Sequence, residues 1–168
     1  MSPSSRPGAE AFPTPARNPD LTLHMLSDPR FLSGARSLLS SVAEKTGLSS
    51  TSCAQVALAV DEALCNVIRH GYQRRTDAPI WVKLWLLSSD SRGPGIRIVI
   101  EDEAQQVDPC EIKSRDLADI RPGGLGVHII KEVMDFAEYE KRSPTGMRLT
   151  LVKYDGPSPD RAASGDAS

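Results

Sequence analysis

The stretch Asp61-Glu62-Ala63-Leu64-Cys65-Asn66-Val67-Ile68-Arg69-His70-Gly71-Tyr72 continues a run from about Ser50 in which Val56, Ala59, Ala63 and Val67 form a helical stripe. A helix so patterned must lay that stripe on a core. Glu62 and Asn66, four residues apart, are then left together on a neighbouring strip that faces a cleft. Cys65 points to another face and reads as a small core residue. His70 and Tyr72 flank Gly71, where the helix should stop, so capping and packing account for them.

A carboxylate beside a carboxamide suits magnesium-nucleotide chemistry. The amide oxygen completes a magnesium shell made mostly of water and phosphate, while the carboxylate orients or deprotonates an attacking hydroxyl. Acidic and amide residues also fall four apart on many solvated helix faces, so the pair needs support from elsewhere. Two further elements supply it. Ile96-Arg97-Ile98-Val99-Ile100-Glu101-Asp102 alternates as a half-buried strand and delivers Asp102 to its end. After a polar run from Glu103 to Arg121, Pro122-Gly123-Gly124-Leu125-Gly126-Val127 opens a helix with Val127, Ile130 and Met134 on one side. Backbone N–H groups at such a loop and helix start receive phosphate oxygens.

In this order the three elements resemble the N, G1 and G2 boxes of the GHKL ATPases, the histidine-kinase-type nucleotide fold. The likeness is greatest to the anti-sigma factor serine/threonine protein kinases. It covers roughly residues 20 to 154 and rests on Asp61-Glu62-Ala63-Leu64 with Asn66, His70-Gly71-Tyr72, and Gly123-Gly124-Leu125-Gly126. The resemblance implies ATP and Mg2+ as cofactors, with Glu62 as base for the phosphoryl acceptor and Asn66 as magnesium ligand. Asp102 would accept from the adenine amino group. The backbone of Gly123, Gly124, Leu125 and Gly126, with Arg121, would receive the phosphates. It further implies a regulator that sequesters a sigma factor, phosphorylates a serine or threonine of an anti-sigma factor antagonist, and so switches partners.

One departure stands out. The family pattern Asp-x-Gly-x-Gly or Asp-x-Gly-x-Pro is here Asp102-Glu103-Ala104-Gln105-Gln106. If the glycine served a backbone shape that a β-carbon disfavours, Ala104 would strain or alter the turn. That leaves a second reading open, a protein-binding module that responds to nucleotide, or uses none, and transfers no phosphate. A detached histidine-kinase domain is less favoured, since no helix pair for dimerisation and phosphoacceptance precedes this one.

Residues 1–19, rich in Pro, Ser, Gly and Ala, read as a disordered tail, 20–154 as the folded domain, and 155–168 as a flexible tail. Expected strands are Leu21 to Leu26, Ile80 to Leu87, Ile96 to Glu101, Phe136 to Lys141 and Met147 to Tyr154. Expected helices are Phe31 to Lys45, Ser50 to His70, and the one after the glycine loop. These predict a two-layer α/β sandwich of the GHKL type, its sheet mostly antiparallel with helices on one face. There is no GxxxxGK[ST] loop and no Rossmann GxGxxG after a first strand.

A net charge of −2 without a basic, aromatic-interleaved run argues against direct nucleic-acid binding. No apolar run reaches membrane length, and the N-terminus lacks a secretory apolar core. The three cysteines, Cys53, Cys65 and Cys110, have no metal or CxxC spacing and fit reduced thiols in a cytoplasm. Protein and nucleotide partners fit best, with room for a homodimer.

Overall fold

The computed structural model describes residue 12 and residues 14–90, 92–112 and 125–156. Five strands form one sheet in the order β1-β2-β3-β5-β4: β1 (Leu21–Leu26), β2 (Pro79–Asp90), β3 (Gly93–Asp102), β4 (Phe136–Lys141) and β5 (Met147–Tyr154). Every neighbouring pair is antiparallel. The register aligns Met25 with Ile80, Val82 with Ile100, Ile98 with Leu151 and Tyr139 with Leu149. Because side chains alternate faces along a strand, these matches gather the aliphatic residues on one side.

Helices α1 (Leu32–Lys45), α2 (Ser50–Asn66) and α3 (Leu125–Val133) cover that side. Leu39, Val56, Val60, Leu64 and Ile130 enter the same fully buried cluster as Ile80, Val82, Leu84, Ile98 and Leu151. The Ser49 hydroxyl caps α2 by accepting from the Ser52 N–H. The α/β architecture with an antiparallel sheet is the one the sequence predicts. β1, β4 and β5 have the expected ends, whereas β2 and β3 run on toward each other through residues expected in a loop. At its C-terminal end α2 passes into a π-helical turn over Val67–Gly71, with Tyr72 N–H donating to the Val67 carbonyl and Arg74 N–H to Ile68.

Packing and hydrogen bonds reach past residues 20–154 at both ends. Phe12, assigned to the disordered tail, is only 4% exposed and packs with Val152, Tyr154, Leu87 and Phe136 on the sheet face away from the helices. Residues 14–20 follow it along the same side: the Trp85 indole donates to the Arg17 carbonyl, and the Asp20 carboxylate accepts from the Leu86 N–H. An aromatic side chain buried in this way holds its segment against chain entropy. At the other end, Asp155 accepts from the Ser49 N–H and from the Ser49 and Ser52 hydroxyls, which pulls its carboxyl below the usual range. A residue taken for the start of a flexible tail thus helps to cap α2.

Candidate nucleotide site

Between α2, α3 and the ends of β3, β4 and β5 lies a cavity of about 370 Å³. Asn66, Asp102, Gly126 and Tyr139 line it, with Met147 and Leu149 as apolar floor. The structure thereby brings three sequence-predicted residues from distant parts of the chain to one hollow. A groove of about 560 Å³ beside β1 is lined by Leu23, Met25, Phe31 and Leu38 with His24, Arg30 and Ser33, and holds none of the residues that the sequence singles out.

Asp102 sits where β3 ends, on the helix-covered face, and is 4% exposed. Its Oδ1 accepts from the Ala104 N–H at 2.8 Å and the Met147 N–H at 3.1 Å. No hydrogen bond from a described residue reaches its other oxygen, which leaves that acceptor for a ligand. Burial pushes the carboxyl above the usual carboxylate range, against the pull of those two N–H groups and of Arg142.

Ala104 does not take positive φ, so the strain expected from the missing glycine is absent. It is buried, and a β-carbon built on Gly71 would come within 3.1 Å of the Ala104 methyl. The methyl occupies the space that Gly71 leaves. Gln106, the other departure, donates from its side chain to the Arg142 carbonyl and ties the turn to the end of β4.

Glu62 and Asn66 share one side of α2, as their spacing predicts, and both face Gly126 at the start of α3. A β-carbon at Gly126 would lie 2.6 Å from Glu62 Oε2 and 3.2 Å from Asn66 Nδ2. Asn66 lines the cavity, whereas Glu62 stands one turn back, beside Gly126. Leu125 is exposed at the first position of α3. Arg121, Gly123 and Gly124 lie outside the described residues.

Two polar groups in the cavity wall are poorly partnered. Asn66 Nδ2 and the Tyr139 hydroxyl are buried without a hydrogen bond of good geometry, although the two side chains lie close enough to interact. Burial pushes the Tyr139 phenol up to about 12, with the neighbouring Asn66 side chain pulling the other way. Orphaned polar atoms beside a hollow fit a ligand that completes them. Tyr139 was not singled out from the sequence, because in Phe136-Ala137-Glu138-Tyr139 it reads as an ordinary strand aromatic. Tyr72, by contrast, is structural: its hydroxyl donates to the Pro79 carbonyl and accepts from the Glu103 N–H, joining the end of the α2 segment to β2 and β3.

Comparison with known proteins bears on the family and the fold. Residues 25–153 match the histidine kinase-like ATPase domain. Relatives in Listeria and Staphylococcus carry the name serine-protein kinase RsbW. The one from Listeria monocytogenes serotype 4a (strain HCC23) is 28% identical over 141 residues, covering 80% of this chain and 86% of the relative. The one from Staphylococcus epidermidis is 27% identical over 142 residues, with the same coverage. Among solved structures, the RsbU and RsbW domains of Rv1364c from Mycobacterium tuberculosis align with a TM-score of 0.52 at 17% identity, covering 83% of this chain and 34% of that one. The SiaB–SiaC complex from Pseudomonas aeruginosa aligns at 0.57 and 10% identity, covering 82% and 91%. These two establish likeness of fold alone.

Proposed function

The chain belongs to the histidine kinase-like ATPase family, and on that premise we propose that it is an ATP-binding anti-sigma regulatory factor. In this reading it phosphorylates a serine or threonine of an antagonist protein and passes between that protein and a sigma factor. The observation that carries the reading is the Asp102 carboxylate, held by two backbone N–H groups with its second oxygen left for a donor in the cavity. A buried acceptor on an apolar floor suits the amino edge of a planar base such as adenine.

The residues present fit ATP with magnesium. Asn66 would give its carboxamide oxygen to the metal from the cavity wall, where its Nδ2 is buried without a hydrogen bond of good geometry. The N–H groups of Leu125 and Gly126 open α3, where the helix dipole favours phosphate, and Gly123, Gly124 and Arg121 would extend that cradle. When bound, ATP supplies an electrophilic terminal phosphorus and a diphosphate leaving group. Glu62 would take the proton from the acceptor hydroxyl and hold that oxygen in line. The relatives named serine-protein kinases support a hydroxyl acceptor. No described helix is long and apolar enough to cross a membrane, which is compatible with work in the cytoplasm.

One observation favours a second reading, a partner-binding module without transfer: Glu62 stands beside the cavity rather than in its wall. A single experiment separates the two. The full chain is incubated with labelled ATP, magnesium and antagonist proteins from the same genome, beside Glu62→Gln. Kinase activity predicts label on a serine or threonine, with ATP binding kept in Glu62→Gln and transfer lowered by roughly a hundredfold or more. No transfer by the unaltered chain, with ATP still changing partner affinity, selects the module. Failure to bind ATP at all sinks the kinase and leaves only a module that uses no nucleotide.

A further inference from the structure

The sheet face away from the nucleotide site carries a buried charge that forms no ion pair among the described residues. This is Arg97, on β3, which is 6% exposed. Its guanidinium donates instead to two neutral groups of the N-terminal segment, the Phe12 carbonyl and the Thr14 hydroxyl, each at 2.8 Å, while its Nε is buried without a partner. Burying a cation on neutral acceptors alone is costly, and an anion at the same place would relieve it.

We propose that Thr14 is a phosphorylation site and that Arg97 is the receptor for its phosphate, fastening Phe12 and residues 14–20 to the outer face of the sheet. Thr14 is exposed although its hydroxyl touches the buried guanidinium, so a modifying enzyme can reach the group that Arg97 already holds. Phe12 provides the anchor beside it: its ring lies 5.2 Å from Phe136 and 6.4 Å from Tyr154, with the Arg92 guanidinium 5.5 Å from its centroid. A phosphate on Thr14 turns a neutral hydrogen bond into a charge-assisted, fork-shaped pair and brings an acceptor within reach of Nε. Burial pulls the Arg97 guanidinium below its ordinary value, with Glu140 and Glu138 of β4 acting the other way, whereas Lys83 and Arg148 on this face are already engaged by Glu101.

The chain cannot perform this transfer on itself. Arg97 and Asp102 are five residues apart on β3, about 17 Å, and their side chains point to opposite faces. The reaction therefore belongs to a serine/threonine kinase acting in trans. The Thr14 oxygen bonds to the terminal phosphorus of a nucleoside triphosphate, the bond to the diphosphate breaks, the nucleoside diphosphate leaves, and the hydroxyl proton goes to that kinase's base.

The test uses the full chain with phosphothreonine installed at position 14. Its melting temperature should rise by roughly 3 °C over the unmodified chain, and the rise should vanish in Arg97→Gln. Independently of any variant, the phosphorus resonance should titrate below the roughly pH 6 of a free phosphothreonine, because Arg97 favours the dianion. A phosphate that titrates as free, or a thermal gain that survives Arg97→Gln, overturns the receptor. A Thr14 peptide that is unmodified in chain isolated from both growing and stressed native cells overturns the site.

Discussion

Gly126 approaches Glu62 so closely that a single added carbon would stand 2.6 Å from the carboxylate oxygen Oε2. The contact is with the far end of a flexible side chain, so Gly126→Ala should displace Glu62 rather than unfold α3, and alanine's helix propensity offsets much of the crowding. We expect stability to change by less than about 1 kcal/mol while phosphoryl transfer falls at least tenfold. Urea unfolding together with a transfer assay checks this, and undiminished transfer would remove Glu62 from the proposed chemistry.

Ala104→Gly should weaken the fold by about 1 kcal/mol. The methyl is buried against Gly71 and its backbone does not take positive φ, so glycine loses packing and gains freedom in the unfolded chain. A more stable variant, or tighter nucleotide binding, would show that the turn wants glycine after all.

Glu101 governs part of the acid response. Burial raises its carboxyl, but hydrogen bonds from Lys83 at 2.6 Å and Arg148 at 2.8 Å outweigh that and bring it below its ordinary 4.5. As pH falls, the unfolded chain takes up this proton before the folded chain does. The stability it contributes is therefore complete above about pH 4.5 and is lost as pH drops through the folded value. Urea midpoints measured from pH 7 downward should fall less steeply for Glu101→Gln, and an identical slope would refute the assignment.

Both ends of the domain should resist trimming. Phe12→Ala removes a buried ring at a cost of about 3 kcal/mol, and Asp155→Ala removes a helix cap at about 1 kcal/mol. A chain cut to residues 20–154 should lose both contributions, which a thermal melt reads directly. Unchanged melting would mean that neither contact matters in solution.

How much of this was legible in the sequence depends on the range of the interaction that decided it. β4 and β5 could be bounded to the residue because strict alternation in Met147-Arg148-Leu149-Thr150-Leu151 sets period and face locally. The helical stripe through Val56, Ala59 and Ala63 placed α2 and set Glu62 and Asn66 on one side of it, but not its end, which comes at Asn66 rather than the expected His70 because the last turn is π-helical. Phe12 could not be read, because a lone aromatic among prolines and small residues has no period, and its pocket is made by β4 and β5 more than 120 residues later. Ala104 looked like strain because the sequence gives a missing glycine but not the space above Gly71. Tyr139 reads as strand core, and only the assembled cavity shows its hydroxyl without a partner.

Asp102 closes β3, the one strand at the centre of the five, with a paired neighbour on either side. In terms of amide exchange, such a strand opens only when the whole domain does. The opposite wall of the cavity is α3, nine residues long and too short to persist by itself. The cavity thus joins two walls with different clocks. Amides at the Asp102 anchor should therefore exchange only with global unfolding, while those of the α3 wall that would meet the phosphates should exchange sooner, through loss of its contact with α2.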